Sequence, residues 1–299
     1  MDLRQLRVFI EVAQRRSFTR AAEHLRIAQP AVSISIRKLE EEFELVLFNR
    51  QEKDISLTAE GETLLKHAER ILEGCTAAET EMTELRGLSS GEVRIGIPPM
   101  MSAYYFPHII YEFRKHYPHL KLSVTAEGAE DIQRMIAKGE IDMGVIARHN
   151  IADELESLFF LREEIVACTP NDHPLAMNKK IAYADFLKEP LIVFTHGYYM
   201  REVINKLIKD AAIQPNIIFE TNIFSLVRPL IKERLGISTF LRMGVSADDE
   251  LTAISFDPPL YIELVIAWKK NRYLSRANRA FIDFLIENIA GNQEKIFVR

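Results

Sequence analysis

Residues 18–40 read FTRAAEHLRIAQPAVSISIRKLE and contain two short amphipathic segments. In the first segment, apolar residues recur at helical spacing between Phe18 and Leu25, and Thr19 is placed to cap the start of a helix. Only residues 26–28 separate this segment from the second. Two helices joined by so short a turn must cross steeply, so the stretch predicts a helix-turn-helix.

The second segment predicts a helix with one apolar face. Its apolar residues, at steps of four, three and four, are Val32, Ile36, Leu39 and Phe43. The opposite face carries Gln29, Pro30, Ser33, Ile34, Arg37 and Lys38. Glutamine can pair with adenine, serine with either base type and isoleucine with a thymine methyl, while the two cations suit phosphates. We therefore predict a DNA recognition helix, with a solvated surface helix of an ordinary helical domain as the alternative.

The charge distribution favours the DNA-binding interpretation. The whole chain carries a net charge of −5. Residues 1–38 hold eight Arg and Lys against three acids, whereas residues 40–92 hold fourteen acids against five bases. Residues 93–299 are almost neutral. A basic amino-terminal segment attached to a larger neutral module is typical of a nucleic-acid-binding domain joined to a second domain.

The amino-terminal residues resemble the DNA-binding domain of the LysR-type transcriptional regulators. The matching motifs are Leu3-Arg4-Gln5-Leu6, Ser17-Phe18-Thr19-Arg20-Ala21-Ala22, Gln29-Pro30-Ala31-Val32-Ser33, Ile36-Arg37-Lys38-Leu39-Glu40, Leu47-Phe48-Asn49-Arg50 and Leu57-Thr58-Ala59-Glu60-Gly61. The resemblance implies that the second helix enters the major groove and that a two-stranded wing follows over residues 47–57. It also implies DNA contacts from Thr19 and Arg20, and phosphate contacts from Arg50 and Lys53.

Three residues depart from the usual pattern of that family. Ala28 stands where Ser or Thr commonly caps the recognition helix, a cap typically worth about 1 kcal/mol. Ile34 replaces a frequent polar residue, and Glu44 replaces a frequent Gly at the bend into the wing. These departures leave DNA binding in place, but the site preference of another member does not transfer to this chain.

A long helix is predicted to follow the wing, with Thr58 as its cap and acids in its first turn. Its apolar residues repeat at steps of four and three and are Leu64, Ala68, Ile71, Cys75, Ala78, Met82 and Leu85. This heptad pattern indicates a dimerising linker helix, and packing of an amphipathic helix on its own domain is the alternative. The family resemblance implies the same dimer and, through contacts between effector domains, a homotetramer.

From residue 92 onward, short apolar strands alternate with helices, which predicts an α/β domain with a mostly parallel sheet. The predicted strands are 93–97, 120–124, 141–146, 164–169, 191–194, 217–220, 237–241 and 264–268, and the predicted helices include 102–116, 200–212 and 280–289. The motifs Lys138-Gly139-Glu140-Ile141-Asp142 and His173-Pro174-Leu175-Ala176 resemble the two-lobed, periplasmic-binding-protein-like effector domain of the LysR family.

The predicted fold is therefore α/β with three parts. A winged helix-turn-helix occupies residues 1–58, a linker and dimerisation helix residues 59–89, and an effector-binding domain residues 90–299. Within the last part, lobe I is expected at about 92–162 and 269–299, and lobe II at about 163–268.

Ligands of open α/β sheets lie beyond the carboxyl ends of strands, often against helix amino termini. This rule selects as effector-binding candidates Pro99, Met100, Met101, Ser102, Arg148, Thr195, His196, Thr221 and Asn222. Ser102 is expected to open one helix, and Thr221 and Asn222 another. Arg148, His196 and the hydroxyls favour a small organic anion, and the methionines allow an apolar body. The alternatives are a helix cap for Ser102, a surface ion pair for Arg148 and a loop position for His196.

The sequence carries no motif for catalysis. It has no phosphate-binding Gly-rich loop with Lys, no nucleophile elbow and no His-Glu-x-x-His zinc helix. His116 and His119 stand beside Pro118 without a thiol or an acid pair. Cys75 and Cys168 are far apart and are expected to be buried free thiols rather than a redox pair. We therefore expect no enzymatic activity, no cofactor and no metal.

The sequence also lacks a signal-peptide core and an apolar run of the roughly eighteen residues that span a membrane. We therefore expect a cytoplasmic protein without a membrane partner. An exported solute-binding protein would have no use for residues 1–58, and an enzyme with a helical appendage is the other alternative. The sequence predicts a sequence-specific DNA-binding transcriptional regulator controlled by a small organic anion bound between two lobes. Its expected partners are a double-stranded DNA operator, that effector and further copies of itself.

Overall fold

The computed structural model describes residues 1–49, 55–84, 91–211, 213–245 and 250–292. The chain divides into two compact units, Met1–Arg86 and Gly87–Arg299. The predicted wing contacts Arg50 and Lys53, and the last predicted seam residue, Leu85, lie outside the described residues.

The amino-terminal unit contains a three-helix core, a two-stranded wing and a long helix. Its elements are α1 (Leu3–Arg15), α2 (Phe18–Leu25), α3 (Gln29–Phe43), β1 (Phe48–Asn49), β2 (Ser56–Leu57) and α4 (Ala59–Glu84). The two wing strands pair antiparallel, with Phe48 opposite Leu57. Val32, Ile36 and Leu39 are buried, which confirms the apolar stripe of α3, whereas Phe43 ends the helix and is 38% exposed.

The predicted cap of α2 is wrong by two residues. The N-cap is Ser17, whose Oγ accepts the N–H of Arg20 over 3.3 Å, and its backbone is extended with φ −161°. Thr19 lies inside the helix, because helical backbone begins at Phe18. A left-handed residue, Arg26 with φ 55°, then ends α2 and turns the chain into α3.

The cap of α4 is confirmed. Thr58 Oγ1 accepts the N–H of Gly61 over 3.0 Å and donates to the carbonyl of Val46 over 2.7 Å. The N–H of Thr58 donates to the carbonyl of Leu47 over 3.1 Å. These bonds join the start of α4 to the chain segment that enters the wing, so the long helix and the wing share one rigid junction.

The start of the predicted α4 stripe packs within its own unit, which was the alternative prediction for this helix. Leu64 and Ala68 of the stripe, with the neighbouring Leu72, pack on the core of that unit. In the second half of the stripe, Ile71 is 38% and Met82 57% exposed. Dimerisation through this exposed half stays a prediction.

The carboxyl-terminal unit is an α/β domain. Its helices are α5 (Pro99–Tyr104), α6 (Phe106–His116), α7 (Ala129–Ala137), α8 (Tyr183–Lys188), α9 (Tyr199–Ala211), α10 (Phe224–Lys232) and α11 (Arg276–Asn292). Its strands are β3 (Gly91–Ile97), β4 (Leu120–Ala126), β5 (Met143–Ala147), β6 (Leu155–Pro170), β7 (Lys180–Ala182), β8 (Pro190–Phe194), β9 (Asn216–Thr221), β10 (Ser238–Leu241) and β11 (Leu251–Lys269). Single 3-10 turns occupy Pro174–Met177 and Arg242–Gly244.

The sheet order defines two lobes. One sheet runs β10-β6-β11-β5-β3-β4, with β7 also paired to β11, and a second sheet contains β8 and β9. The first lobe contains β3, β4 and β5 with α5, α6, α7 and α11. The second contains β7, β8, β9 and β10 with α8, α9 and α10. The two longest strands, β6 and β11, pair with each other along their length and pass through both lobes.

The predicted strands are present, but the prediction of a mostly parallel sheet is wrong at the centre of the domain. β11 is antiparallel to both β6 and β5, and β10 is antiparallel to β6. Both central strands also begin earlier than predicted. Pro258 and Pro259 interrupt the apolar pattern of β11 and cause a shift in register between Ser255 and Leu260. The charged residues 162–164 interrupt the apolar pattern of β6, although its pairing with β11 is continuous there.

The helix predicted over 102–116 is two helices, α5 and α6, which meet at Tyr105. Pro107 explains the break, because proline lacks an N–H and its ring clashes with the carbonyl four residues earlier. As a result, Ser102 does not open a helix but lies inside α5, where its N–H donates to the carbonyl of Pro98 over 2.9 Å.

Candidate functional site

The outward face of α3 carries the predicted base-contacting and phosphate-contacting side chains. Gln29, Pro30, Ile34, Arg37 and Lys38 are exposed, and Ser33 is half-buried. Gln29 Nε2 donates to Ser33 Oγ over 2.9 Å, so the two polar groups present one joint surface. Arg37 Nε lies 3.5 Å from Glu41 Oε1 in an exposed ion pair. Thr19 and Arg20 are exposed in the first turn of α2.

The start of α3 has no side-chain cap. Ala28 occupies the N-cap position with an extended backbone, and no side chain accepts the first amides of the helix. The first N–H groups of a helix have no partner within it and carry the positive end of its dipole. The start of α3 is therefore open to an external acceptor such as a phosphate oxygen.

A cavity of about 60 Å³ lies between the two lobes of the carboxyl-terminal unit. It is lined by Pro98, Pro99, Met100, Met101, Gly128, Ala129, Ala147, Phe194, Tyr198, Tyr199, Met200, Phe224, Leu241, Ile262 and Leu264. Most of these residues lie at the ends of strands or the starts of helices in both lobes, and Ile262 and Leu264 lie within β11. No charged side chain is among those that line the cavity within the described ranges.

Three helices begin at residues that line the cavity. Gly128 is the N-cap of α7, Tyr199 begins α9 and Phe224 begins α10. The start of α10 has neither an acid in its first turn nor a side-chain cap at Ile223. The cavity therefore combines an apolar body with the positive ends of helix dipoles.

The structure places three of the nine effector-binding candidates in the cavity, namely Pro99, Met100 and Met101. These three residues belong to the first turn of α5, directly after β3, and their part in effector binding stays a prediction. Sequence reasoning did not select Gly128, Phe224 or Leu241. The strand-end rule would have found two of them, because β4 ends just before Gly128 and β10 ends at Leu241.

Six candidates lie outside the cavity lining: Ser102, Arg148, Thr195, His196, Thr221 and Asn222. Ser102 Oγ donates to the carbonyl of Pro99, and exposed Arg148 lies 3.0 Å from Glu263 Oε2. The N–H of Thr195 donates to the carbonyl of Thr221. His196 and Asn222 are exposed. The part of these six residues in effector binding stays a prediction.

Thr221 and Asn222 do not begin a helix, contrary to the prediction. Thr221 is the last residue of β9, and α10 begins only at Phe224. Thr221 Oγ1 accepts the N–H of Ile223 over 3.0 Å and fixes the turn between strand and helix.

The two lobes touch across the cleft. A Cβ added to Gly128 would lie 2.7 Å from the carbonyl oxygen of Gly197 in the second lobe. His149 of the first lobe lies 3.0 Å from Glu202 Oε2 and packs on the Tyr199 ring, with 4.6 Å between centroids. Closure at this point therefore depends on a residue without a side chain at position 128.

Two tyrosines beside the cavity keep their phenol protons. Burial and the nearby Glu202 raise the pKa of Tyr199. Burial and the acids Glu127 and Asp131 raise the pKa of Tyr198. Both phenols are therefore neutral at pH 7 and able to donate a hydrogen bond.

A buried acid lies where the lobes join. Glu163 of β6 is 8% exposed, and its Oε1 accepts the N–H of Met243 over 3.3 Å. Burial raises the pKa of Glu163, against the lowering effect of that bond. Burial and the Glu163 charge raise the pKa of Tyr105 to about 12.

We expect Glu163→Gln to stabilise the carboxyl-terminal unit and to remove part of its pH dependence. Burial raises the pKa of Glu163 in the folded protein above its ordinary value, so the unfolded chain loses this proton at a lower pH. The free energy of unfolding therefore falls as the pH rises from the ordinary pKa through the folded pKa, and stays lower above it. Glutamine keeps the acceptor for Met243 without the charge. Thermal unfolding from pH 4 to 8 measures the effect, and Glu156→Gln at an exposed position of β6 is the control. Parallel pH profiles for wild type and Glu163→Gln would contradict this assignment.

Other chemical groups have modest roles. Among the described residues, no three His, Cys, Asp or Glu side chains are grouped to hold a metal. Neither cysteine forms a disulfide; Cys168 is buried as predicted, whereas Cys75 is only half-buried. No helix within the described ranges has both the length and the apolar character to cross a membrane.

Comparison with known proteins gives consistent matches along the chain. The model of the lysR-family bacterial regulatory helix-turn-helix matches residues 3–62, and that of the LysR substrate binding domain matches residues 86–290. The HTH-type transcriptional regulator YwbI of Bacillus subtilis is 30% identical over 286 residues, which cover 95% of each chain. CysL of the same organism, also an HTH-type transcriptional regulator, is 29% identical over 243 residues, which cover 81% of each chain.

Solved structures share the fold over nearly the whole length. Full-length OxyR from Pseudomonas aeruginosa superposes with a TM-score of 0.70 at 22% identity, covering 99% of this chain and 96% of that one. Full-length CbnR, a LysR family regulator solved with its target DNA, superposes with a TM-score of 0.63 at 21% identity. The match covers 96% of this chain and 99% of the CbnR chain. The chain therefore belongs to the LysR family of transcriptional regulators, which are not enzymes.

Proposed function

We propose that this regulator binds a specific operator through α3 and changes its activity when a small molecule occupies the cleft between the two lobes. The observation that carries the proposal is the cavity formed by strand ends and helix starts of both lobes, in a chain that also has a helix-turn-helix. A ligand that contacts both lobes binds one lobe arrangement better than another and so shifts their equilibrium.

The proposed effector is a small organic anion with an apolar body. The apolar lining suits the body, and the uncapped start of α10 suits the negative charge. Side-chain cations near the cleft are already paired: Arg148 with Glu263, and Arg201 with Glu220 over 2.6 Å. Backbone amides are therefore the better partners for a carboxylate.

The proposed assembly is a homodimer through the exposed half of the α4 stripe, with a homotetramer formed by further contacts between effector domains. Two recognition helices then read two half-sites together, which raises both affinity and specificity. A regulator that binds operator DNA must share the compartment of the chromosome, so we propose that it is cytoplasmic.

The DNA-binding roles are tested by two substitutions in α3. Gln29→Ala is expected to lose about 1–3 kcal/mol of discrimination at one base pair, because it removes a base contact. Arg37→Ala is expected to weaken all duplexes alike and to reduce the salt slope by about 0.9, the contribution of one phosphate contact. Titrations of a selected operator and of random duplexes at several salt concentrations measure both. Equal weakening of both duplexes by Gln29→Ala would refute the base contact.

The effector role is tested by Gly128→Ala. The added methyl group meets the carbonyl of Gly197, so it is expected to hinder closure and weaken effector binding about tenfold or more. DNA affinity without effector should stay normal. A thermal-shift screen of small organic acids on the full chain supplies the effector, and Gly74→Ala, whose Cβ meets nothing within 4 Å, is the control. An unchanged response of Gly128→Ala would place the sensing site elsewhere.

A further inference from the structure

One hydrogen bond crosses the cleft between the two lobes. Its acceptor is a side chain of the first lobe, and its donor is the backbone N–H of the residue that ends a strand of the second lobe. Leu241, the last residue of β10, donates its N–H to Met100 Sδ over 3.0 Å. The two residues are 3% and 6% exposed, and both line the cavity. The bond therefore spans the lobes at the place where a ligand would bind.

Strand geometry explains why this amide faces the cavity. β10 pairs with β6 along one edge. On the other edge, the N–H of Ile237 donates to the carbonyl of Pro190 over 2.9 Å, in the segment that begins β8. The N–H groups of residues two apart in a strand point to the same side. The N–H of Leu241, four residues after that of Ile237, therefore also points away from β6.

The acceptor of this N–H is a weak one on a mobile side chain. A thioether sulfur accepts hydrogen bonds poorly, and methionine has three rotatable bonds. A buried N–H without an acceptor is costly, so some acceptor must remain. A carbonyl or carboxylate oxygen would satisfy the same N–H better. Its arrival would also free the Met100 side chain to leave, enlarging a cavity of only about 60 Å³.

We propose that Met100 supplies the acceptor for the N–H of Leu241 when no effector is bound, and that the effector displaces Met100 by presenting a carbonyl or carboxylate oxygen, on a compact apolar body, to this N–H. This inference rests on the proposed effector function of the cleft. It names the oxygen acceptor that a ligand must carry and the backbone donor that receives it.

The first arm of the test compares two buried methionines in the full chain. Met100→Leu keeps the side-chain volume but removes the acceptor. Met143→Leu is the matched control, because Met143 of β5 is 0% exposed and is not among the residues that line the cavity. Hydrogen exchange at the Leu241 amide should accelerate in Met100→Leu and remain at the wild-type rate in Met143→Leu. Equal exchange in both variants would overturn the proposed bond.

The second arm uses three probes with one carbon skeleton: 3-methylbutanoate, 3-methylbutanamide and 3-methylbutylammonium. The first two carry a carbonyl-type acceptor, and the third carries only donors. In protein with labelled leucine amides and methionine methyl groups, the acceptor probes should shift the Leu241 and Met100 signals together. They should also bind Met100→Leu about fivefold tighter than wild type, because the competing acceptor is gone. Met143→Leu should match wild type within about twofold.

The other outcomes either decide against the inference or narrow the class of ligand that it names. Binding of the acceptor probes with unmoved Leu241 and Met100 signals would overturn it, as would no binding at all. Equal shifts of the Leu241 and Met100 signals by the ammonium probe would show that the ligand needs no oxygen acceptor, which would overturn the inference. Binding of the carboxylate alone would show that charge is required, whereas binding of both acceptor probes would show that the oxygen suffices. An effector from the organic-acid screen that leaves the Leu241 signal unmoved would refute this inference while the proposed function stands.

Discussion

Gly61→Ala is expected to destabilise the amino-terminal unit by about 3 kcal/mol or more, the upper range for overpacking in a filled site. A Cβ at position 61 would lie 2.2 Å from the carbonyl oxygen of Leu47 and 2.9 Å from a methyl carbon of Leu57. The leucine methyl can turn away, but the Leu47 carbonyl accepts the N–H of Thr58 and cannot move without breaking the junction between wing and helix. A small domain is stable by only about 5–15 kcal/mol, so the loss is severe.

The same helix provides the control for this experiment. Gly74 also lies in α4, and a Cβ there meets nothing within 4 Å. Gly74→Ala is therefore expected to raise stability by about 1 kcal/mol, the difference in helix propensity between glycine and alanine. Chemical denaturation followed by circular dichroism measures both variants. Similar changes in the free energy of unfolding for the two variants would contradict the close packing at Gly61.

A lysine in the exposed half of the α4 stripe is expected to dissociate the proposed dimer. Ile71→Lys or Met82→Lys would bury an unpaired charge in the interface, which costs several kcal/mol. Operator affinity should then fall about 10²–10⁴-fold, since the second half-site no longer binds intramolecularly. Light scattering reports the assembly, and titration of the selected operator reports the affinity.

Two further substitutions in α4 separate assembly from folding. Thr83→Lys adds the same charge to an exposed position on another side of the helix and should leave the dimer intact. Leu64→Lys should instead lower the melting temperature of the unit, because Leu64 packs on its own core. Unchanged dimers of both Ile71→Lys and Met82→Lys would rule out this stripe as the interface.

The helix-turn-helix could be predicted almost completely from the sequence, because its signals are local. The burial of Val32, Ile36 and Leu39 follows directly from their spacing. The cap of α2 was misplaced, since Ser17 and Thr19 are both competent caps and only the backbone shows which one has the extended conformation. The sequence also could not show where along α4 the apolar stripe stops packing on its own unit, because the spacing of the apolar residues is the same in the buried part and in the exposed part.

The effector domain was predicted less well, because its central feature is non-local. Short parallel strands gave clear apolar runs, but the long β6 and β11 are interrupted by charges and by Pro258 and Pro259. Their antiparallel pairing joins residues about a hundred positions apart, and no local pattern encodes it. The cleft residues contributed by strand ends were therefore only partly identified. Side-chain chemistry favoured Arg148 and His196, whereas the cavity is lined by apolar groups and backbone amides.

The pair of long strands has a mechanical consequence. β6 and β11 supply the middle of the main sheet, and their ladder continues from the first lobe into the second. Relative motion of the lobes must therefore twist this hydrogen-bonded pair of strands. Twisting costs elastic energy, which favours a return to the original lobe arrangement when the ligand leaves. Unfolding of either lobe would also disrupt β6 and β11, which are central strands of the other lobe. We therefore expect the carboxyl-terminal unit to unfold as one cooperative element, although it contains two lobes.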